Sequence, residues 1–217
     1  MNHQSTQFEN RMRGSVLTYT LREFTTLDST NDTLKNLAVE GAPEGTIVLA
    51  NAQTRGRGRY GKTWLSLPGM GLYFSALFRP DWSPSDALMS GMMASLAVAR
   101  ALELAGMKGV ELKWPNDILI NGSKIAGVLA ETRVAGGRTE FVVIGIGINL
   151  DHTASMLESC FETKATSCRI EGLEIKRLDL LARILDEMER GYLLIRAGGR
   201  NTIIDEWHAR GTLRAEH

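Results

Sequence analysis

The 217-residue sequence predicts an α+β fold, a mixed but largely antiparallel sheet covered by helices. Three features carry that expectation. Apolar, partly β-branched runs bounded by glycines recur through the middle of the chain. An Asn121-Gly122 dipeptide separates two of them, where a type I′ hairpin wants it. An Ala/Met/Leu-rich stretch and two further helical patterns near the end supply the covering layer.

In chain order, Asp28, Ser29, Thr30 and Asn31 offer N-capping side chains directly before Leu34, Leu37 and Ala38, and Gly41 stands where a C′ glycine belongs, so a helix of about three turns is expected. Residues 46–52 (TIVLANA) read as a buried strand and 71–79 (GLYFSALFR) as a second. From Pro84 to about Gly106 a long packed helix follows, capped by Ser83 or Ser85. Residues 111–114 form a strand, 118–120 and 124–125 the hairpin, and 126–134 and 141–149 two strands joined by a turn at Gly136-Gly137. Residues 151–166 read as loop, and helices at 177–197 and 202–209 close the chain.

The 25 Lys and Arg residues balance 25 Asp and Glu, so bulk charge gives no hold on nucleic acid or an acidic membrane, and any anion site must be local. Cys160 and Cys168 have neither the number of a disulfide framework nor the spacing of a zinc site, which points to a reducing, cytoplasmic setting. No window reaches ~18 apolar residues and the N-terminus lacks an apolar signal core, so neither membrane insertion nor secretion is expected. Residues 1–14 read as a flexible segment and 15–217 as one domain.

The segment 56–63 (GRGRYGKT) satisfies the phosphate-loop pattern and, in its first part, the dinucleotide pattern. Both need a helix to start at the end of the loop. Here Trp64 is followed within a few residues by Pro68, Gly69 and Gly71, so the expected helix is missing and both readings are disfavoured. The anion survives in another geometry: glycines expose backbone N–H groups, while Arg57 and Arg59 can converge on one charged ligand. A solvated basic hairpin tip is the bland alternative.

A second cluster is 113–117 (KWPND), joined through the hairpin to Lys124 and Gly127. Pro115 interrupts the ladder so that Asn116 and Asp117 can project into a cleft, where a carboxylate could hold Mg²⁺ or orient a lysine; an ordinary turn cap is the alternative. In the third cluster, 145–149 (GIGIN), glycines inside an apolar strand admit another backbone or a flat ligand, or mark a bulge, and Asn149 could read an adenine edge.

In this order the three clusters, with Ser29-Thr30-Asn31 and Gln53, resemble the catalytic domain of biotin protein ligases over about 29–149. The resemblance implies ATP and Mg²⁺ as cofactors, biotin as substrate and a lysine of a biotin carboxyl carrier protein as acceptor. It implies that Ser29, Thr30, Asn31, Gln53, Gly56, Arg57, Gly58, Arg59, Lys124 and Gly127 contact biotin. Arg57, Arg59, Trp64, Lys113, Asn116, Asp117 and Asn149 would meet the nucleotide, with Asp117 the metal ligand. Lys124 and Arg59 would be the catalytic pair, stabilising charge as a carboxylate attacks the α-phosphorus. The GRGR loop and the KWPND run favour biotin over the related lipoate and octanoyl transferases, and a non-catalytic adenylate binder is the rival outside enzymes. Departures from the fuller family pattern lie at both ends, with no room for a winged-helix domain before the first strand and no small β-barrel after the last helix, so DNA regulation is not expected. Some family members dimerise through sheet edges, which makes a homodimer a further expectation.

Overall fold

A computed structural model of the chain describes Phe8, residues 11–160 and residues 164–211. Its strands are β1 (Thr20–Leu27), β2 (Thr46–Gln53), β3 (Gly71–Phe78), β4 (Val110–Lys113), β5 (Asp117–Ile120), β6 (Ser123–Ala135) and β7 (Arg138–Asn149). Its helices are α1 (Thr30–Val39), α2 (Pro84–Ala87), α3 (Ser90–Leu104), α4 (Ala154–Cys160), α5 (Arg177–Arg196) and α6 (Arg200–Arg210). One seven-stranded sheet runs in the order β1-β2-β3-β7-β6-β5-β4. β1 lies parallel to β2, and the remaining strand pairs are antiparallel. The expected mixed, largely antiparallel α+β architecture is therefore the one observed.

Strand alternation sorts the side chains into two layers. On one face, Ile47 and Leu49 of β2, Leu72, Phe74, Ala76 and Phe78 of β3, and Val142, Ile144, Ile146 and Ile148 of β7 pack with α3 and α5 in the main core. On the other, Val48, Leu77 and Val143 receive Leu34 and Ala38 of α1 in a smaller cluster. α1 covers only part of that second face, and the uncovered part carries the cleft. Fully burying each such aliphatic side chain is worth about 1.5–3 kcal/mol, so the two-sided burial of β3 and β7 anchors the sheet beneath the site.

Several local expectations change. The helix expected over 84–106 is two pieces, α2 and α3: Ser83 caps the first, its Oγ accepting from the Asp86 amide, and Leu88 and Met89 separate it from the second. The 84–104 stretch is apolar and long enough to cross a membrane, but most of it is buried against the sheet and α5. Within 151–166, read as loop, the chain forms α4. β1 is not legible in the sequence, because every residue of TLREFTTL is exposed or half-buried and the strand carries little apolar signal. The segment 1–14, expected to be flexible, lies largely outside the described residues; of those described, Phe8 and Met12 are buried in the main core.

Candidate functional site

A cleft of about 710 Å³ opens on the second face of the sheet. Its floor is made of strand residues that alternation turns to this side: Gly145 and Gly147 of β7, and Gly127 and Leu129 of β6. One wall is the start of α1, with Ser29, Thr30 and Asn31; a second is the loop 57–64; the third is Lys113 to Asp117 with Lys124.

The glycines of β7 do admit flat groups, one of the two expectations, but those groups belong to the chain itself. A Cβ at Gly147 would overlap the Trp64 indole, and one at Gly127 would lie 3.1 Å from its Cζ3. A Cβ at Gly145 would collide with the Asn31 amide. Trp64 therefore lies on a bed of two glycines, buried, with Lys124 Nζ 5.4 Å from its ring centroid. That places the indole beside the candidate catalytic lysine.

Lys124 reaches the cleft through a β-bulge. Asp117 pairs with Gly127 and Ile118 with Ala126, but Leu119 pairs with Lys124, so Ile125 is an extra residue in β6. Strict alternation from Gly127 would turn Lys124 to the opposite, core-facing side; the extra residue returns it to the face of Asp117. Its Nζ sits 2.6 Å from Asp117 Oδ1. The turn that sets this up is the expected one, with Asn121 at φ 49° and Gly122 at φ 79°. Asn116 faces the same region but its amide donates to the Val128 carbonyl at 2.7 Å, which pins the 113–117 segment to β6.

No helix follows the glycine loop, which closes on itself: the Gly58 amide donates to the Lys62 carbonyl at 2.7 Å and the Trp64 amide to the Gly56 carbonyl at 2.9 Å. A side chain at Gly56 would run into the Trp64 carbonyl. The two arginines do not converge. Arg57 turns to the α1 wall, where its guanidinium donates to Asp32 Oδ1 and Glu131 Oε2, each at 2.8 Å. Arg59 instead lies over the exposed Tyr60 ring, 5.0 Å from its centroid. Two acceptors on α1 and β6 outcompete solvent for Arg57, whereas Arg59, at the loop tip, donates to the Tyr60 hydroxyl at 3.2 Å.

The floor beneath α1 is a chain of hydrogen bonds. Gln53 Oε1 accepts from the Thr30 amide at 2.8 Å and lies 3.2 Å from Thr30 Oγ1, and Gln53 Nε2 donates to Ser66 at 2.7 Å. Ser75, from β3, lies 2.8 Å from Thr30 Oγ1 and 2.6 Å from Asn31 Oδ1. Asn31 Nδ2 donates to the Leu129 carbonyl and to Glu131 Oε2. Ser29 caps α1 by accepting from the Asp32 amide. Asn31, expected to contact a ligand directly, thus has its amide committed to its neighbours. Asn149 is not among the residues that line the cleft: it is fully buried, and its amide donates to the Thr166 carbonyl at 3.0 Å, holding the segment after α4.

Sequence reasoning missed Ser75 and Glu131. A serine inside the otherwise apolar GLYFSALF was the available signal for the first, since a polar group in a central strand has to be paired. Nothing local marked Glu131. Although burial works to raise its pKa, hydrogen bonds from Lys35, Asn31 and Arg57 hold the Glu131 carboxyl below the ordinary carboxylate value, so it stays an acceptor.

Among the residues lining the cleft, Arg57, Arg59, Lys62, Lys113 and Lys124 are cationic and Asp117 alone is acidic. A chain of zero net charge has gathered a local excess of positive charge in one concavity. Such a site favours a ligand that carries several negative charges, next to a polar pocket that can recognise an uncharged head.

Residues 23–149 match the model of the biotin/lipoate A/B protein ligase family. The bifunctional ligase/repressor BirA of Bacillus subtilis is 38% identical over 167 residues, 76% of this chain and 51% of that protein. A biotin–[acetyl-CoA-carboxylase] ligase of Paracoccus denitrificans is 39% identical over 125 residues, 57% of this chain and 51% of that protein. Among solved structures, the biotin protein ligase of Aquifex aeolicus in complex with biotin and ATP superposes with a TM-score of 0.72 at 28% identity, covering 88% of this chain and 78% of that one. The chain spans about half the length of these curated relatives.

Proposed function

The chain belongs to the biotin/lipoate A/B protein ligase family, and from that premise we propose that it is the catalytic domain of an ATP-dependent biotin protein ligase. It joins biotin and ATP into biotinyl-5′-AMP and passes the biotinyl group to a lysine of a biotin carboxyl carrier domain. The observation that carries this reading is the cleft itself, in which a polar pocket at the start of α1 adjoins the cationic wall formed by Arg59, Lys62, Lys113 and Lys124.

In the first step a biotin carboxylate oxygen forms a bond to the α-phosphorus of ATP and the bond to pyrophosphate breaks. Two anions must approach, and Lys124 and Arg59 offset their repulsion where negative charge concentrates. In the second step the carrier amine attacks the acyl carbon, AMP leaves and the amine proton is lost, so the protein needs no nucleophile of its own. Ser29, Thr30 and Gln53 hold the biotin head on this reading, with Gly58 lining the cleft beside them, while Gly56 and Gly127 act indirectly by making room for Trp64. Asn116 and Lys113 border the nucleotide, and Trp64 packs between the two halves of the cleft. Arg57 acts by fastening the loop to α1 and β6. Asn149 reaches a nucleotide only through the segment it supports around Thr166.

Among the described residues no three His, Cys, Asp or Glu side chains cluster as a protein-only metal cage. Mg²⁺ commonly takes one or two carboxylates plus substrate phosphates, and Asp117 fits that habit as the one carboxylate lining the cleft. A metal held there would neutralise phosphate charge. For a second copy of the chain, this reading assigns the edge of β6 at residues 129–135, which runs beyond the end of β5. The reducing, cytoplasmic setting remains part of the proposal.

The test is incubation with ATP, Mg²⁺ and either biotin or lipoate, with mass spectrometry of the products. Biotinyl-AMP is expected; a lipoyl adenylate alone, or no adenylate, overturns the reading. In the same assay Arg59→Ala is expected to leave the fold unchanged and lower adenylate formation by about tenfold to a hundredfold, the equivalent of one charged hydrogen bond of about 1.5–3 kcal/mol. Wild-type turnover in this variant would remove Arg59 from the chemistry.

The loop tip gives a second check. Tyr60 is exposed, and a few backbone bonds close the loop, so trypsin is expected to cut near Arg59 and Lys62 in the free protein. Biotin with ATP should protect the site by ordering the arginine. Equal cleavage with and without ligands would show that the loop does not close on them.

A further inference from the structure

Glu131 does not line the cleft; it faces a neighbouring groove with Lys35, Asn36 and Arg133. Yet one of its oxygens, Oε2, meets both Asn31 Nδ2 at 2.7 Å and Arg57 at 2.8 Å, while Oε1 meets Lys35 at 2.9 Å. We infer that Glu131 is a positioning residue that sets the hydrogen-bond polarity of the cleft floor, so that Thr30 offers the ligand an acceptor and never a donor.

The available protons fix the order of the chain. A carboxylate accepts only, so Asn31 must turn its NH₂ toward Glu131, and the second N–H goes to the Leu129 carbonyl at 3.1 Å. With both donors spent, Asn31 Oδ1 faces Ser75 at 2.6 Å and can only accept. The single Ser75 proton is therefore used on Asn31. Thr30 Oγ1, 2.8 Å from Ser75, must then donate either to Ser75 or to Gln53 Oε1. In both cases its proton points into the protein. What Thr30 shows the cleft is a lone pair.

The relay works because it is dry and anchored at both ends. Ser75 is fully buried, and Thr30 and Asn31 are 4% and 3% exposed, so water cannot substitute for a missing partner. Gln53 is oriented by the Thr30 amide, a donor that cannot reverse, which fixes the far end. Without an acceptor at 131, Asn31 keeps an unpaired buried N–H or flips its oxygen against the Leu129 carbonyl. The flipped amide would donate to Ser75, release the Ser75 proton toward Thr30, and let Thr30 donate outward.

The ligand class this floor selects is a head group with N–H donors, such as a cyclic urea or amide, over one presenting only acceptors or sulfur. This rests on the proposed biotin ligase reading, whose substrate carries such N–H groups, and the test keeps the two apart. Biotin affinity by calorimetry and steady-state constants for biotin and ATP are measured for the wild type, Glu131→Gln, Glu131→Leu, Ser75→Ala and the Glu131→Leu, Ser75→Ala double variant. Glu131→Gln keeps an acceptor for Asn31 and is expected to bind biotin within about threefold of the wild type. Glu131→Leu should raise the biotin Kd and KM by about tenfold, the scale of one unsatisfied buried group, and because Asp32 still holds Arg57 and its loop, kcat and the ATP KM should change less. In the Ser75→Ala background the relay is already cut, so the added loss from Glu131→Leu should shrink. Equal losses in Gln and Leu, or full additivity in the double variant, would overturn the positioning role. If Glu131→Leu does not fold, Glu131→Gln and Ser75→Ala still decide: a Gln variant that loses biotin as badly as Ser75→Ala overturns it. A wild type that binds no biotin overturns the functional reading first.

Discussion

On the biotin-ligase reading, replacing Lys124 by alanine is expected to lower single-turnover adenylation of biotin by about 100-fold to 1,000-fold while changing the biotin dissociation constant by less than about threefold. The asymmetry follows from where the ammonium sits. The bulge at Ile125 holds Lys124 on the cleft face, between Asp117 at 2.6 Å and the Trp64 ring. Its charge is thus already in place and already partly neutralised before substrate arrives. It gains most when the reacting carboxylate and α-phosphate concentrate negative charge, which happens in the transition state and not on binding. Lys124→Arg should rescue poorly, because a planar guanidinium cannot stand in for a compact ammonium in the space between Asp117 and the indole. Calorimetry beside single-turnover kinetics separates the terms. A variant with a near-normal rate at saturating biotin would make Lys124 a binding residue.

The second large effect is expected at a residue that carries no functional group. Gly147→Ala adds one methyl where the Trp64 indole lies, and the backbone there is ordinary strand, so the methyl and the ring compete for one space. The ring has to leave its bed. Loss of its burial should cost about 2–3 kcal/mol of stability, and adenylation should fall by at least about tenfold because both the loop and Lys124 lose their common support. Acrylamide quenching should detect a newly exposed indole. Gly127→Ala, where the methyl would stand 3.1 Å from the ring edge, is the milder companion and should give the same changes at smaller size. A Gly147→Ala protein with the wild-type rate and no newly accessible tryptophan would show that Trp64 is not the tenant these glycines serve.

The hairpin, the central strands and the basic loop are legible because each depends on local chemistry: a positive-φ dipeptide at 121–122, apolar runs at β2, β3 and β7, and glycines with cations between them; Ser29, Thr30 and Gln53 entered the site only through the family resemblance. What stayed hidden depends on partners distant along the chain. Gly145 and Gly147 are compatible with a close approach or with a bulge, and nothing in GIGIN says that Asn31 and Trp64 are what approaches. Arg57 and Arg59 look equivalent two residues apart; they differ because Asp32 and Glu131, from α1 and β6, capture only the first. The bulge at Ile125 has no composition signal, since KIAG would also read as a regular strand. Asn149 carries the side chain an adenine edge would want, and the fold spends it on the Thr166 carbonyl.

The two hairpin ends of the sheet differ in how they would tolerate being lengthened. At Gly136-Gly137 the connection between β6 and β7 projects into solvent, with exposed residues on both sides, so extra residues there would extend a tip and leave every register below it unchanged. At Asn121-Gly122 the turn serves as a measuring device. Together with the single extra residue at 125 it sets the Leu119–Lys124 pairing, and one more residue would shift that register and move the lysine from its place opposite Asp117. An epitope, a fluorophore site or a fused domain is therefore accommodated at the first turn, while the second has its length prescribed by the position of one ammonium group.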